Sequence, residues 1–218
     1  MLAGESALFA TLQTTLDDLD RECARILAHL PEAFIVSIKG IGITLCSSIC
    51  AETGSLSQGW SGDQINAYAG IVPRVKQTGG PEAPARIRGR RQSFNRVLKD
   101  YTMQAGNHLF LHGPKELLED AARRKHAGKA VDTAMARRFL RIARALAKNH
   151  YIYLPASLRK DQTEDDRQER ARYILRTWPD LLLKWKRLGL HHEAFGAETP
   201  LGRWRIIIQK IHGIELPL

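Results

Sequence analysis

The stretch Ile38-Lys39-Gly40-Ile41-Gly42-Ile43 separates two short apolar segments, EAFIVSI at 32–38 and ITLCSSICAETG at 43–54. Glycines permit positive φ angles and close backbone approach, and Ile41 between them can fill the gap between two helices. The pattern predicts a helix-hairpin-helix whose second helix binds a phosphate through its free N–H groups and its dipole. The expected backbone contacts are Lys39, Gly40, Gly42 and Thr44. The alternative is a tight helix–helix turn without a ligand.

The charge of the chain is concentrated in two segments that carry more than the whole net charge of +10. The first, between Arg74 and Lys99, has a single acid, and its predicted DNA contacts are Arg74, Lys76, Arg86, Arg88, Arg90, Arg91, Arg96 and Lys99. The second lies between Arg123 and Lys148, where Asp132 is the one acid. Such segregation is typical of proteins that bind a polyanion, because each neutralised phosphate releases counterions.

The second basic segment contains the clearest amphipathic pattern of the chain, at residues 130–149. Met135, Phe139, Ile142 and Leu146 form an apolar stripe. A second stripe, offset by two positions, is basic and is predicted to follow a phosphate backbone on DNA or structured RNA: Arg137, Arg141, Arg144 and Lys148. A solvated helix face is the alternative.

An acidic N-terminal helix is predicted up to Pro31, which cannot continue it. Its apolar residues alternate at spacings of three and four: Phe9, Leu12, Leu16, Leu19, Cys23, Ile26 and Leu30. This heptad seam predicts either a coiled coil that forms a homodimer through residues 9–30 or a helix packed on its own domain.

Composition excludes several classes of protein. No apolar run is long enough to span a membrane, and the first residues lack the pattern of a signal peptide. Three cysteines make no disulfide framework, and Cys46 with Cys50 are expected in the core rather than at a metal. We expect a cytoplasmic, nucleoid-associated bacterial protein without a membrane partner.

Other possible sites have weaker patterns. Asp63 stands about where a helix-hairpin-helix glycosylase places its catalytic aspartate, but its surroundings lack that enzyme's sequence. The acids Asp161, Asp165 and Glu169 alternate with arginines, which favours a solvated helix over a metal site. His191 and His192 are expected at the surface or at a helix cap.

The order of these motifs resembles the C-terminal domain of the insertion-sequence transposases of the IS-one-ten, IS-one-sixteen and IS-nine-oh-two type. After the GIG turn come Tyr68-Ala69-Gly70-Ile71-Val72-Pro73-Arg74 and Gln77-Thr78-Gly79-Gly80, then Asn95, Leu98 and Lys99, then the late helix with Ala136-Arg137-Arg138-Phe139-Leu140-Arg141-Ile142. The resemblance covers roughly residues 31–149. It implies a bridge-RNA-guided recombinase in which a serine of an SGG motif forms a covalent link to DNA.

This chain departs from that family's pattern at three points. Thr78 stands at the position of the serine nucleophile, and its β-methyl group would crowd an in-line attack. Phe94 stands where a glycine would precede Asn95. The RuvC-like domain with its metal-binding acids is missing, so we expect no cofactor in this chain, and Mg²⁺ only where a RuvC-like partner supplies its ligands.

The resulting prediction is a mainly α protein in three parts. These are a coiled-coil helix at 1–30, a helix-hairpin-helix transposase-like domain at 31–150 and an α-helical C-terminal extension at 151–218. We expect a DNA-binding transposase-like protein acting in DNA transposition, truncated or dependent on a partner for catalysis, and possible binding of a structured guide RNA. Two alternatives stay open: a non-catalytic DNA- or RNA-binding module derived from a transposase, and a helical scaffold that recruits another protein through its seam.

Overall fold

The computed structural model describes residues 2–72, 75–76, 86–87, 94–126, 131–159 and 163–218. Helices dominate this part of the chain, so the prediction of a mainly α fold is confirmed. The α-helices are α1 (Leu2–Ala28), α2 (Ile43–Thr53), α3 (Gly62–Tyr68), α4 (Arg96–His112), α5 (Lys115–His126), α6 (Val131–Asn149), α7 (Glu164–Lys186), α8 (His191–Ala194) and α9 (Pro200–His212). Two 3₁₀ helices, η1 (Pro31–Ser37) and η2 (Ala156–Arg159), and two strands, β1 (Val75–Lys76) and β2 (Arg86–Ile87), complete it.

Helix ends follow local capping chemistry. At α3 the Ser61 hydroxyl accepts from the N–H of Gln64, and the Gln64 side chain accepts from the N–H of Ser61. Asn95 caps α4 by accepting from Leu98 N–H at 2.9 Å. Gly54 ends α2 at φ +63°. Capping residues therefore mark the starts of α3 and α4 and the end of α2.

The first arm of the predicted hairpin differs in type from the second arm, the α-helix α2. Residues 31–37 form a 3₁₀ helix instead of an α-helix. All five residues from Glu32 to Val36 are buried, so the segment lacks the solvent-facing side of an amphipathic helix and its shape follows its neighbours α2, α6 and α9. We call residues 31–53 the hairpin segment.

Helix α1 has two different faces. Near its C-terminal end, Ala24, Leu27 and Ala28 are buried, and the helix packs there against α2 and α8. The heptad seam lies on another face and is exposed, with Phe9 at 70% and Leu16 at 57%. Within the described residues the seam therefore does not pack on its own domain.

One hydrophobic core joins the N-terminal, central and C-terminal parts of the chain. Helix α9 packs on η1, where the Phe34 and Trp204 rings meet edge to face with centroids 6.5 Å apart. Cys46 and Cys50 lie in this core, as predicted. The C-terminal extension therefore forms part of the support for the hairpin segment.

Helices α4 and α6 form the most extensive helix pair. A Cβ atom at Gly106 would lie 2.8 Å from the backbone nitrogen of Ala136, closer than packed atoms allow. The missing side chain therefore lets the two backbones approach directly.

The strands β1 and β2 pair antiparallel, with Val75 opposite Ile87 and Lys76 opposite Arg86. In the described ranges, no helix combines the length and apolar character required to cross a membrane.

Candidate nucleic-acid interface

The turn of the hairpin segment exposes one end of α2. Gly40 adopts φ +88°, and a Cβ there would lie 3.1 Å from the carbonyl oxygen of His108, so the turn packs closely on α4. Ile41 is fully buried, as expected for a residue that fills the gap between the arms. Gly42 is the N-cap of α2, and nothing lies within 4 Å of the position its Cβ would take. The space beside Gly42 is therefore open, and no side chain among the described residues caps the first N–H groups of α2.

The side chains predicted to bind beside this turn are accessible. Lys39 and Thr44 are exposed, and both flank the exposed Gly42. Helix α2 has no acidic residue in its first turn, so no carboxylate there competes with an anion for the positive end of the helix dipole. The geometry is suited to a backbone phosphate.

Lys184, a lysine of the C-terminal extension, donates hydrogen bonds to backbone carbonyl groups at the hairpin turn. The Lys184 ammonium donates to the carbonyl oxygens of Val36 at 2.6 Å, Ile38 at 3.1 Å and Ile41 at 2.8 Å. These bonds join α7 to the end of η1 and to the turn across more than 140 residues of sequence. Burial lowers the pKa of Lys184 to about 8, and Asp180 and the Cys46 thiol oppose this shift.

A buried carboxylate holds the loop that follows α2. Glu32 Oε1 accepts from the backbone N–H groups of Leu56 at 2.7 Å and Ser57 at 3.3 Å, and from the hydroxyl of Ser55. Glu32 is 1% exposed, and these bonds compensate for its burial. The sequence indicated neither contact, because Lys184 is distant in the chain from the turn that it contacts, and Glu32 is distant from the loop that it contacts.

The basic stripe of α6 lies beside α3. Arg141 pairs with Asp63 at 3.2 Å, and Arg144 Nε donates to the carbonyl oxygen of Trp60. Arg137 donates to Thr133 of its own helix at 3.4 Å, and Lys148 is exposed. Arg144 therefore has a structural contact, whereas Arg141 and Lys148 remain exposed to solvent.

The remaining predicted DNA contacts are placed only in part. Arg96 is exposed at the start of α4, and the Lys99 ammonium lies 5.6 Å from the centroid of the Phe94 ring. Lys76 and Arg86 lie opposite each other in the two strands, where the structure describes the backbone. The other predicted residues lie outside the described residues: Arg74, Thr78, Arg88, Arg90 and Arg91.

An aromatic cleft, which the sequence analysis did not identify, opens between α3 and the start of α4. It has a volume of about 1190 Å³ and contains three aromatic rings among its lining residues. Its walls are Gly59, Trp60, Asp63, Gln64, Ala67, Tyr68, Phe94 and Asn95. Phe94 is distant in sequence from Trp60 and Tyr68, so no local pattern indicated the cleft.

A second cleft, of about 770 Å³, lies below the hairpin turn between α5 and α7. Basic and acidic side chains both line this cleft, including Lys39, Arg187 and Asp180. At one wall the Tyr153 hydroxyl donates to Glu116 at 2.7 Å, and burial together with this carboxylate raises the pKa of Tyr153. Because this cleft has both acidic and basic side chains, it is less suited to a polyanion than the exposed start of α2.

The described residues contain no group of three or more His, Cys, Asp or Glu side chains placed to hold a metal ion. The part of the acidic run that the structure covers, Asp165 and Glu169, lies on the exposed side of α7. The carboxylates among the described residues therefore do not form a set that fits Mg²⁺.

The hairpin segment, α3 and most of α4 are similar to one family of known proteins. Residues 32–109 match the family model described as the transposase IS116/IS110/IS902 family. A protein of Pseudomonas aeruginosa strain PAO1, named a probable family 20 transposase, is 24% identical over 159 residues, which are 66% of this chain and 44% of that protein. The chain thus spans less than half the length of this relative. No solved structure matches the chain.

Proposed function

We propose that this chain, whose residues 32–109 match the model of the transposase IS116/IS110/IS902 family, binds DNA during transposition of an insertion sequence. The main support for this proposal is that the matched segment contains the exposed start of helix α2. Gly42 and Thr44 lie exposed at the N-terminal end of α2, inside the matched segment. A helix start with free N–H groups binds a phosphate without reading the base sequence.

The basic residues of α4 and α6 extend this contact. Arg96 at the start of α4 and Arg141 and Lys148 on α6 are exposed cations on two helices that pack together. Such residues bind backbone phosphates and release condensed counterions. The proposed DNA contacts are therefore the turn at α2 and the exposed cations of the α4–α6 pair.

The salt dependence of binding tests this proposal. Affinity for a labelled DNA duplex, measured by fluorescence anisotropy between about 50 and 300 mM KCl, should fall along a straight line in log–log form. Lys39→Ala should reduce the slope by about 1, the value for one lost phosphate contact. Lys210→Ala is the matched control, because Lys210 is an exposed lysine of α9, outside the proposed contacts. A slope near zero, or equal slopes for both variants, would overturn the proposal.

We further propose Thr78 as the position of the attacking hydroxyl, on the evidence of its place in the resemblance alone. Its oxygen would form a bond to a DNA phosphorus atom while the bond to one strand breaks, and the leaving strand oxygen would take up a proton. The acids for a metal would come from a RuvC-like partner, and a structured RNA would guide the target.

A covalent adduct tests this second step. On nicked DNA with a RuvC-like partner and Mg²⁺, Thr78→Ser should increase the yield of a protein–DNA adduct, and Thr78→Ala should abolish it. DNA binding without an adduct in any variant would favour the non-catalytic DNA-binding module instead.

We propose that two copies of the chain associate through the α1 seam. The seam is apolar and exposed, and the residues that attach α1 to the body, Ala24 and Leu27, lie on a different face. The same helix can therefore pack on its own domain and on a second copy.

A further inference from the structure

Two of the three aromatic rings of the cleft, Trp60 and Tyr68, contact each other, and Phe94 lines the same space. The Trp60 and Tyr68 ring centroids lie 5.2 Å apart at an interplanar angle of 30°. The Asn95 N–H donates to the Tyr68 carbonyl at 2.9 Å, which fixes the start of α4 against the end of α3. Phe94, one residue earlier, lines the same cleft.

Phe94 fits this place because Gly70 leaves room for it. A Cβ at Gly70 would lie 2.5 Å from Cγ of Phe94, so the ring covers the bare backbone of that glycine. Phe94 also occupies the position at which the resemblance to the transposase family would place a glycine. The third ring is therefore a feature of this chain's own sequence.

The cleft combines these rings with hydrogen-bonding groups. Asp63, Gln64 and Asn95 line the same space. The Asn95 amide donates to Tyr68 Oη at 3.1 Å and to Glu52 at 2.7 Å, which orients the tyrosine at the edge of the cleft. Planar rings beside amide and carboxylate groups match the faces and edges of a nucleobase.

Three cations contact residues that line the cleft. Arg144 bonds the backbone of Trp60, Arg141 pairs with Asp63, and Lys99 lies over the Phe94 ring. Arg141 is exposed and free to reach a phosphate beyond its contact with Asp63. This charge favours a polyanionic strand over an apolar peptide as the occupant.

We propose that Trp60, Tyr68 and Phe94 stack an unpaired base of the bound DNA strand. The inference rests on the proposed function, because the match to a transposase family is what makes DNA the strand in question. A base within a duplex cannot reach the rings, so the cleft selects a bulged, gapped or extruded nucleotide. The three cations hold the phosphates next to that nucleotide.

The test compares a DNA duplex with the same duplex carrying three unpaired thymines, both at fixed salt. The unmodified protein should bind the bulged duplex more tightly. Tyr68→Leu and Phe94→Leu should each reduce affinity for the bulged duplex by about 5-fold to 100-fold, the range for loss of one stacked base. Affinity for the intact duplex should stay within about twofold, because backbone contacts alone bind it. Phe110→Leu, the same change at a half-buried position near the other end of α4, is the control and should keep the preference.

The outcomes separate this inference from the proposed function. If neither duplex binds, the proposed DNA binding fails. If both duplexes bind equally, or if both cleft variants keep the preference, DNA binding stands and the stacking site is overturned. A bulged RNA duplex bound more tightly than the bulged DNA would replace DNA with RNA as the occupant.

Discussion

Replacement of Lys184 by methionine tests whether a buried ammonium sustains the hairpin turn. Methionine has a similar length and no charge, so Lys184→Met removes the three bonds to the carbonyls of Val36, Ile38 and Ile41 with little change in volume. Burial lowers the pKa of Lys184 in the folded protein to about 8, from 10.5 for a free lysine. The substitution therefore changes how stability depends on pH.

The direction in which the free energy of unfolding changes with pH follows from how many protons Lys184 binds in the folded and unfolded states. Below pH 8 the lysine is protonated in both states, and the cost of burying its charge is fully present. Between pH 8 and 10.5 the unfolded state holds more protons than the folded state, so the free energy of unfolding rises with pH. At about 1.4 kcal/mol for each pKa unit, the gain between pH 7 and pH 10 is roughly 2.5 kcal/mol.

Urea unfolding followed by circular dichroism at pH 7, 8, 9 and 10 measures this gain. The free energy of unfolding of the unmodified protein, minus that of Lys184→Met, should rise by about 2.5 kcal/mol over the series. Other titrating groups are present in both proteins and cancel in the difference. Lys186→Met removes an exposed charge from the same helix and should leave the difference flat. A difference that falls with pH would refute the reasoning, because it would mean that the carbonyl oxygens stabilise the ammonium more than burial destabilises it.

Two further predictions concern the α1 seam and the packing of Gly70. Leu16→Lys combined with Leu19→Lys should convert a dimer into a monomer in light scattering, while duplex binding by the monomer survives; an unchanged mass would contradict the proposed dimer. Gly70→Ala should lower the free energy of unfolding by more than 2 kcal/mol, estimated roughly from its positive φ and its clash with Phe94. Gly59→Ala has a similar φ of +78° with nothing within 4 Å, so it should cost only about 1 kcal/mol, and equal losses would show that the clash is relieved at no cost.

Strong periodicity made the helices of this chain predictable. The apolar stripe of residues 130–149 predicted α6, because one face of the helix packs and the other is solvated. Residues 32–36 had no such contrast, since all are buried, and tertiary packing there produced a 3₁₀ helix. An apolar–polar periodicity predicts a helix only where one side of the helix packs on the protein and the other side faces solvent.

The candidate interface was predictable only where its residues are neighbours in sequence. The Gly40-Ile41-Gly42 turn indicated both a buried plug and an open helix start, and the structure has Ile41 buried and Gly42 exposed. The contact of Lys184 with the turn arises from packing of α7 across the chain, and a lysine near a helix end has no pattern that reveals it. The aromatic cleft likewise depends on how α3 meets α4.

The close contact at Gly106 has a consequence for the entropy of DNA binding. With no side chain between the backbones of α4 and α6, neither helix can slide without a clash at Ala136. The relative position of the two backbones that carry Arg96 and Arg141 is therefore set when the chain folds. Binding a strand then orders only the two exposed side chains and not the helices, so a bulkier residue at position 106 would weaken binding through lost preorganisation even if every charge stayed in place.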